Sequence, residues 1–273
     1  MKKVISFSLW GKSAMYNIGA IVNAEMAERL WPDWIARYYV ASSVADSVID
    51  ELNKRDNTEV ILMGDDPGWN GMFWRFLTAS DPEVDIMISR DTDARVNERD
   101  KAAVDQWLES GKKFHIVRDM CQHGWKICGG TWGVRDGFLR DISTRINNYL
   151  LTDKANNHGV DQRFLNSIYD YVVLDSFTHD EDFPDIMHPK EVKHKLPIPR
   201  LRGDGWWNTD FPEWHSGLED DPDVFPAWGD QGRCHLFCGA CGKFHDNEFI
   251  GKTFNTVSKK DKERFAHIMK DLD

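Results

Sequence analysis

Two aspartates one residue apart, Asp91 and Asp93, follow a short apolar run and are the residues best suited to chemistry. The run Val84–Ile88 predicts a buried strand, so both carboxylates lie where that strand stops. Two such carboxylates can share one hard divalent cation, and that cation can bind a diphosphate. Arg90 and Arg95 flank the pair and can make bidentate contacts with phosphate or with a neighbouring carboxylate. A solvated Asp/Arg turn is the alternative interpretation, so the surrounding elements matter.

The elements before this pair predict a βαβαβ order. Strands are predicted at Lys3–Leu9, Trp34–Val40 and Glu59–Met63, and helices at Met15–Leu30 and Ser43–Asn53. This alternation favours an α/β fold with a mostly parallel central sheet covered by helices. Ligands of such sheets bind outside the carboxyl ends of the strands, and the aspartate pair follows the fourth strand at such an end.

The remaining periodic segments continue the same pattern. They predict a helix capped by Asn97 that runs to Ser110, a strand at Lys113–Arg118, a helix at Gly137–Leu151, a strand at Tyr171–Asp175 and a terminal helix at Ser258–Leu272. From Asp180 to about Gly232 regular periodicity disappears, although Trp206, Trp207, Trp214 and Trp228 lie there. A loop of this length is usually functional or mobile.

Three further segments can line a ligand site. Gly68–Leu77 mixes glycines with large aromatics and is either a short buried helix or a pocket wall. Gly129–Gly133 is glycine-dense, which lets the backbone approach a ligand closely. Asp161 follows a polar loop at the start of a helix, where it is either an N-cap or a functional carboxylate.

The overall composition restricts the class of protein. The chain has 273 residues, 41% of them hydrophobic, and a formal net charge of −11. The acidic balance argues against a large nucleic-acid surface. No apolar run approaches the roughly 20 residues that span a bilayer, and the N-terminus lacks the pattern of a signal peptide. We therefore expect a cytoplasmic protein.

A cysteine- and histidine-rich cluster near the C-terminus raises a second possibility for metal binding. Its potential ligands are Cys234, Cys238, Cys241 and His245. In a reducing compartment these residues can bind structural zinc, and ordinary buried thiols are the alternative. A zinc-containing binding module without catalysis would be a wholly different class of protein.

Taken together, these motifs resemble those of GT-A fold glycosyltransferases. The resemblance rests on the opening Val4–Gly11, on Ser89–Arg95, on the strand end Arg118-Asp119, on Gly129–Gly133 and on Asp161-Gln162. It covers about residues 3 to 175 well and the remainder loosely. It is closest to bacterial and phage-type transferases with an Arg-Asp-x-Asp-x-Arg signature, and it is more distantly similar to glycogenin-like retaining transferases.

This resemblance implies roles for individual residues. It implies that Asp91, Asp93 and His235 bind Mn²⁺ or Mg²⁺, and that Asp161 and Gln162 face the donor sugar as catalytic residues. The donor would be a nucleotide-sugar, most simply a UDP-sugar. The residues implied to contact the donor's base or diphosphate are Ser6, Phe7, Leu9, Arg90, Arg95 and Lys243.

The expected protein is a single glycosyltransferase domain over residues 1–273. Residues 1–178 would form the nucleotide-sugar-binding core, and residues 179–273 would supply acceptor-side loops and a tail. Within these loops we expect Trp206 and Trp207 to contact the acceptor. The acceptor hydroxyl would belong to a glycan or to a hydroxymethylated base in phage DNA. In the phage case the enzyme would act in the host cytoplasm.

Overall fold

The computed structural model describes residues 1–119, 125–152, 156–180, 190–198, 250 and 257–272. Within these residues one sheet of eight strands forms the centre of the fold. The strands are β1 Lys3–Leu9, β2 Ile35–Ala41, β3 Thr58–Gly64, β4 Ile86–Ser89, β5 Phe114–Arg118, β6 Trp132–Arg135, β7 Ser176–Asp180 and β8 Lys193–His194. Their order across the sheet is β3-β2-β1-β4-β6-β5-β7-β8.

The predicted mostly parallel sheet is confirmed. β1 pairs in parallel with β2 and β4, β2 with β3, β5 with β7, and β7 with β8. Only β6, among the described strands, runs antiparallel to its neighbours β4 and β5. β1 and β4 are adjacent, so their carboxyl ends open at the same edge of the sheet.

Helices cover both faces of this sheet. They are α1 Ala14–Leu30, α2 Asp46–Asn53, α3 Glu98–Ser110, α4 Ile142–Thr152, α5 Val160–Val172, α6 Lys259–Arg264 and α7 Ala266–Leu272. A 3₁₀ segment spans Gly68–Ser80, which agrees with the buried-helix interpretation of that stretch. The predicted cap of α3 is also confirmed, because the Asn97 side chain accepts a hydrogen bond of 2.8 Å from the Asp100 amide.

One predicted strand was wrong. Tyr171–Asp175 forms the end of α5 and a short 3₁₀ turn at Val173–Asp175, and the strand starts only at Ser176. The buried positions of α5 include Ile168, Tyr169 and Val172, which continue the spacing of one helical face. Packing of that face keeps the chain helical beyond the point where the sequence favoured an extended conformation.

The core lies in two layers, one on each face of β1. Ile5, Phe7 and Leu9 face the layer that contains α1, whereas Val4 faces the layer that contains the 3₁₀ segment. Phe7 stacks on Tyr38 of β2 with ring centroids 4.8 Å apart. Both faces of β1 are thus covered. No helix among the described residues is long and apolar enough to cross a membrane.

Candidate active site

Asp91 and Asp93 lie beyond the carboxyl end of β4, where the sequence placed them. The amide of Arg90 donates the last sheet hydrogen bond, 3.0 Å long, to the carbonyl of Ser6 on β1. The chain then leaves the sheet. The Asp91 side chain is 37% exposed, so it borders solvent at the edge where ligands of parallel sheets bind.

Helix α1 fixes the loop that carries the two aspartates. The Asn23 side chain donates to the carbonyl of Ala94 at 2.8 Å and accepts from the amide of Val96 at 3.1 Å. Gly19 lets the helix touch the loop, since a Cβ there would overlap the carbonyl oxygen of Thr92. Contacts this close hold the loop in one conformation against the helix.

The two flanking arginines bind groups of the protein itself. Arg90 is 2% exposed and forms a bidentate pair with Asp100, with Nε–Oδ2 2.7 Å and Nη2–Oδ1 2.5 Å. The sequence allowed Arg90 to contact either phosphate or a neighbouring carboxylate, and in the structure it contacts a carboxylate. Arg95 donates from Nη1 to the carbonyls of Thr92 and Ala94 at 3.1 and 2.8 Å, which ties the loop to itself.

Arg75, in the 3₁₀ segment, joins two acidic residues that the sequence treated separately. Its Nη2 lies 2.8 Å from Oδ2 of Asp161 and 3.2 Å from Oδ1 of Asp91. Its Nε donates to the Ser89 hydroxyl at 3.2 Å and to the Gly129 carbonyl at 3.3 Å. One buried guanidinium thus brings the aspartate loop after β4 and the start of α5 into a single site.

Asp161 is not the N-cap of α5. That position belongs to Gly159, whose φ of 80° suits glycine, and Asp161 is the second helical residue. Its side chain is fully buried, and Oδ1 has no hydrogen-bond partner. Burial raises the pKa of Asp161, the guanidinium of Arg75 lowers it, and the charge of Asp91 raises it further. A buried carboxylate oxygen without a partner is costly and indicates a role other than capping.

Gly129 and Gly130 pass directly between the two acidic groups. A Cβ on Gly130 would overlap the carboxylate of Asp91, and a Cβ on Gly129 would lie 2.6 Å from Nη2 of Arg75. The Gly129 amide donates a 2.9 Å hydrogen bond to the Gln162 side chain. The glycine-dense segment therefore approaches the site as closely as its composition predicted.

The electrostatics around the aspartate pair show an excess of negative charge. The pKa of Asp93 is raised to about 7, mainly by desolvation and then by the charge of Asp91. The pKa of Tyr16 on α1 is raised to about 12 by desolvation and by the charges of Asp93 and Asp91. The positive charges nearby therefore do not fully neutralise the two carboxylates.

The residues expected at the nucleotide base lie in the interior. Ser6, Phe7 and Leu9 are at most 1% exposed. The Ser6 hydroxyl shares a 2.8 Å hydrogen bond with that of Thr78. Because β1 is covered on both faces, these three side chains build the core, and a contact of this strand with the base stays a prediction. The first residue after β1, Trp10, is half-buried and packs against Gly71.

Several predicted residues lie outside the described part of the chain. They are His235, Lys243, Trp206, Trp207 and the proposed zinc ligands Cys234, Cys238, Cys241 and His245. Among the residues that are described, no group of three or more His, Cys, Asp or Glu side chains is arranged to hold a metal ion. Any metal site in this region would use the two carboxylates together with ligands from elsewhere.

Arg75 is the site residue that sequence reasoning missed. The signal was its position in the aromatic stretch Met72–Leu77. An arginine in a segment that packs into the core needs a carboxylate partner, because a charge is almost never fully buried unpaired. The sequence alone did not identify the partner, which is 86 residues away.

No family model and no curated protein matches the sequence. The similar solved structures include a 4-diphosphocytidyl-2C-methyl-D-erythritol synthase from Anaerococcus prevotii, at 14% identity and a TM-score of 0.45, covering 65% of this chain and 86% of that one. Another is an active-site mutant of LgtC, at 13% identity and a TM-score of 0.47, covering 80% of this chain and 93% of that one.

A third similar structure is the glucosyl-3-phosphoglycerate synthase of Mycobacterium tuberculosis, in complex with Mn²⁺, UDP and phosphoglyceric acid. It shares 14% identity at a TM-score of 0.40, with 67% of this chain and 72% of that one covered. With TM-scores below 0.5, these similarities bear on neither activity nor ligands. Support for a function must come from the site itself.

Proposed function

We propose that this chain is a metal-dependent glycosyltransferase that moves a sugar from a nucleotide-sugar, a UDP-sugar, to a hydroxyl acceptor. The observation that carries the proposal is the bridge made by Arg75 between Asp91 and Asp161. It brings the partly exposed carboxylate of Asp91, just after β4, together with the buried carboxylate of Asp161, at the start of α5. A donor needs both, because its diphosphate and its sugar are adjacent.

The carboxylate pair fits a hard divalent cation. Asp91 and Asp93 offer oxygen ligands, which Mg²⁺ and Mn²⁺ accept. Desolvation and then the charge of Asp91 raise the pKa of Asp93, and a bound cation would offset both by stabilising its ionised form. Such a cation, when bound, stabilises the charge that develops on a leaving nucleoside diphosphate. Asn23 and Gly19 position the pair by fixing the loop, so little ordering is required when a ligand arrives.

Asp161 is suited to the sugar side of the reaction. The anomeric carbon becomes cation-like as its bond to the diphosphate breaks, and a preorganised carboxylate oxygen stabilises that charge. Arg75 holds Oδ2 of Asp161 and leaves Oδ1 without a partner. The Gln162 side chain accepts a hydrogen bond from the Gly129 amide, which joins the glycine segment to the start of α5.

A panel of nucleotide-sugars tests this proposal. We expect the wild-type protein to hydrolyse at least one UDP-sugar slowly to UDP when Mn²⁺ is present, and to stop when the metal is chelated. Asp91→Asn should lower that rate at least 100-fold, because the neutral amide is a poorer ligand for a hard cation. Asp141→Asn is the matched control, since Asp141 is an exposed carboxylate that pairs with Arg145 of α4.

Two outcomes would contradict the proposal. One is hydrolysis of no nucleotide-sugar in the panel under any metal condition. The other is hydrolysis that the Asp91→Asn variant retains at the wild-type rate.

A further inference from the structure

Two half-exposed tryptophans contact the turn that leads into α5. Trp69 is 43% exposed and Trp125 is 38% exposed. The Trp69 ring meets the His158 ring edge-on, with centroids 5.3 Å apart. Cζ2 of Trp125 lies 3.9 Å from the point where a Cβ on Gly159 would be. Both indoles therefore border the turn that delivers Asp161 to the site.

Along the chain, each indole is also only a few residues from a residue that contacts Asp161. Trp125 precedes Gly129 by four residues, which span at most about 14 Å when extended. Trp69 precedes Arg75 by six residues in the 3₁₀ segment, and a rise of about 2 Å per residue puts them about 12 Å apart. Gly129 and Arg75 touch the carboxylate of Asp161. One elongated molecule can reach from the indoles to the site.

The groups around the indoles can form hydrogen bonds, and they include the cation of Arg163, whose Nη2 donates a 2.7 Å hydrogen bond to the Asn157 side chain. Asn156, Asn157 and His158 are all exposed. The amide nitrogen of Asn156 lies 3.2 Å from where a Cβ on Gly68 would be, next to Trp69. Amide and imidazole groups both donate and accept, as sugar hydroxyls do. A flat indole face packs against the C–H face of a pyranose ring, and large exposed apolar side chains commonly mark such binding sites.

Charge does not favour a nucleic-acid strand as the occupant. Bases also stack on indoles, but they bring phosphates that need an excess of cations nearby. The exposed acids Asp65 and Asp66 precede the 3₁₀ segment, and Asp66 accepts a 3.0 Å hydrogen bond from the Gly68 amide beside Trp69. On the side of Trp125, Arg163 and Lys126 offset these two acids. These four described residues leave no local excess of positive charge, and the net charge of −11 on the whole chain disfavours a polyanion but not an uncharged saccharide.

We infer that Trp69 and Trp125 form a platform that binds a neutral saccharide, which is the acceptor of the transfer reaction. Its role as acceptor rests on the proposed glycosyltransferase function. Binding to the platform itself requires neither donor nor metal, because the platform is built from the side chains of Trp69 and Trp125 alone.

Saturation-transfer-difference NMR on the metal-free, donor-free protein tests the platform. The probes are the α- and β-methyl glycosides of glucose, galactose, mannose, N-acetylglucosamine and rhamnose, and a short single-stranded DNA. We expect saturation transfer to the ring protons of at least one glycoside. Trp69→Ala and Trp125→Ala should each reduce that signal at least fivefold, and Trp125→Tyr should keep about half of it because it keeps a ring.

Tyr171→Ala is the matched control, because Tyr171 is a 44% exposed aromatic at the far end of α5. It should leave the signal unchanged, and circular dichroism should show the same fold in all variants. The inference is overturned if no glycoside receives saturation, if both alanine variants keep the wild-type signal, or if the DNA alone binds through these indoles. Failure of the proposed function is separate: the platform would still bind glycosides while the protein hydrolysed no nucleotide-sugar.

Discussion

Replacing Arg75 with methionine tests whether one buried guanidinium holds the site together. Methionine has a similar length and no charge, so the change removes the bridge and leaves little cavity. Arg75 is 6% exposed and Asp161 is fully buried, so Asp161 would lose the cation with which it pairs. Removing one member of a buried pair costs about 3–5 kcal/mol, because the other charge is left uncompensated.

The half-exposed Asp91 adds little to this loss, since ion pairs near solvent contribute about 0–1 kcal/mol. We therefore expect the free energy of unfolding at pH 8 to fall by about 3–5 kcal/mol in Arg75→Met. The matched control is Arg145→Met, which breaks a more exposed pair with Asp141 on α4. Its cost should stay below about 1 kcal/mol.

The pH dependence of the lost stability shows whether the unpaired charge of Asp161 causes it. Burial already raises the pKa of Asp161, and Arg75 lowers it, so the variant raises it further. A carboxyl with a raised folded pKa carries its proton in both states below the unfolded pKa of about 3.9, where it costs nothing. The penalty grows as the pH rises through the folded pKa. The deficit of Arg75→Met should therefore be smaller at pH 5 than at pH 8, by about 1 kcal/mol or more.

Urea unfolding at both pH values measures these differences. Adding Asp161→Asn to Arg75→Met removes the unpaired charge and should restore about half of the lost stability at pH 8. A cost of less than about 1 kcal/mol for Arg75→Met at pH 8 would contradict the claim that Arg75 compensates the buried charge of Asp161. The same claim would be contradicted if the deficit were equal at both pH values and Asp161→Asn restored none of it.

Three further predictions concern Asp161, Gly130 and His179. Asp161→Asn should lower turnover strongly and leave affinity for the UDP-sugar within a few-fold, as steady-state kinetics would show, because the carboxylate acts in the transition state. Gly130→Ala should weaken UDP binding with Mn²⁺ at least tenfold in calorimetry, because its Cβ would displace the carboxylate of Asp91. Burial lowers the pKa of His179 to about 3, so the unfolded chain binds more protons below about pH 6.5 and stability falls as the pH falls. His179→Gln should flatten that fall in urea unfolding, and parallel profiles would contradict this.

Local periodicity was enough to predict the first half of the fold. The run Lys3–Leu9 matches β1 residue for residue, and Asn97 caps α3 as its position before a charged helical turn predicted. β6 was missed because Trp132–Arg135 is four residues long and contains a glycine. A Cβ on Gly133 would lie 3.0 Å from Cγ2 of Ile88, so the glycine is set by pairing with β4, which the local sequence does not show.

The site shows the same division between local and distant information. The carboxylate pair was placed correctly, because a strand end is a local feature. The burial of the Phe7 side chain was not predicted, because it depends on Tyr38 and on helices elsewhere in the chain. Arg75 was missed, since its pairing with Asp161 depends on how the 3₁₀ segment packs against α5.

Calorimetric titration of UDP, with and without Mn²⁺, into wild type, Asp91→Asn and Asp93→Asn tests whether the two carboxylates bind the metal and the diphosphate. We expect wild type to bind UDP only when Mn²⁺ is present. We expect each variant to lose at least 100-fold in affinity while keeping the circular dichroism spectrum of the wild type. Asp141→Asn should titrate as wild type does. Wild-type affinity for UDP with Mn²⁺ in both Asp91→Asn and Asp93→Asn would contradict the claim that this pair forms the metal–diphosphate site.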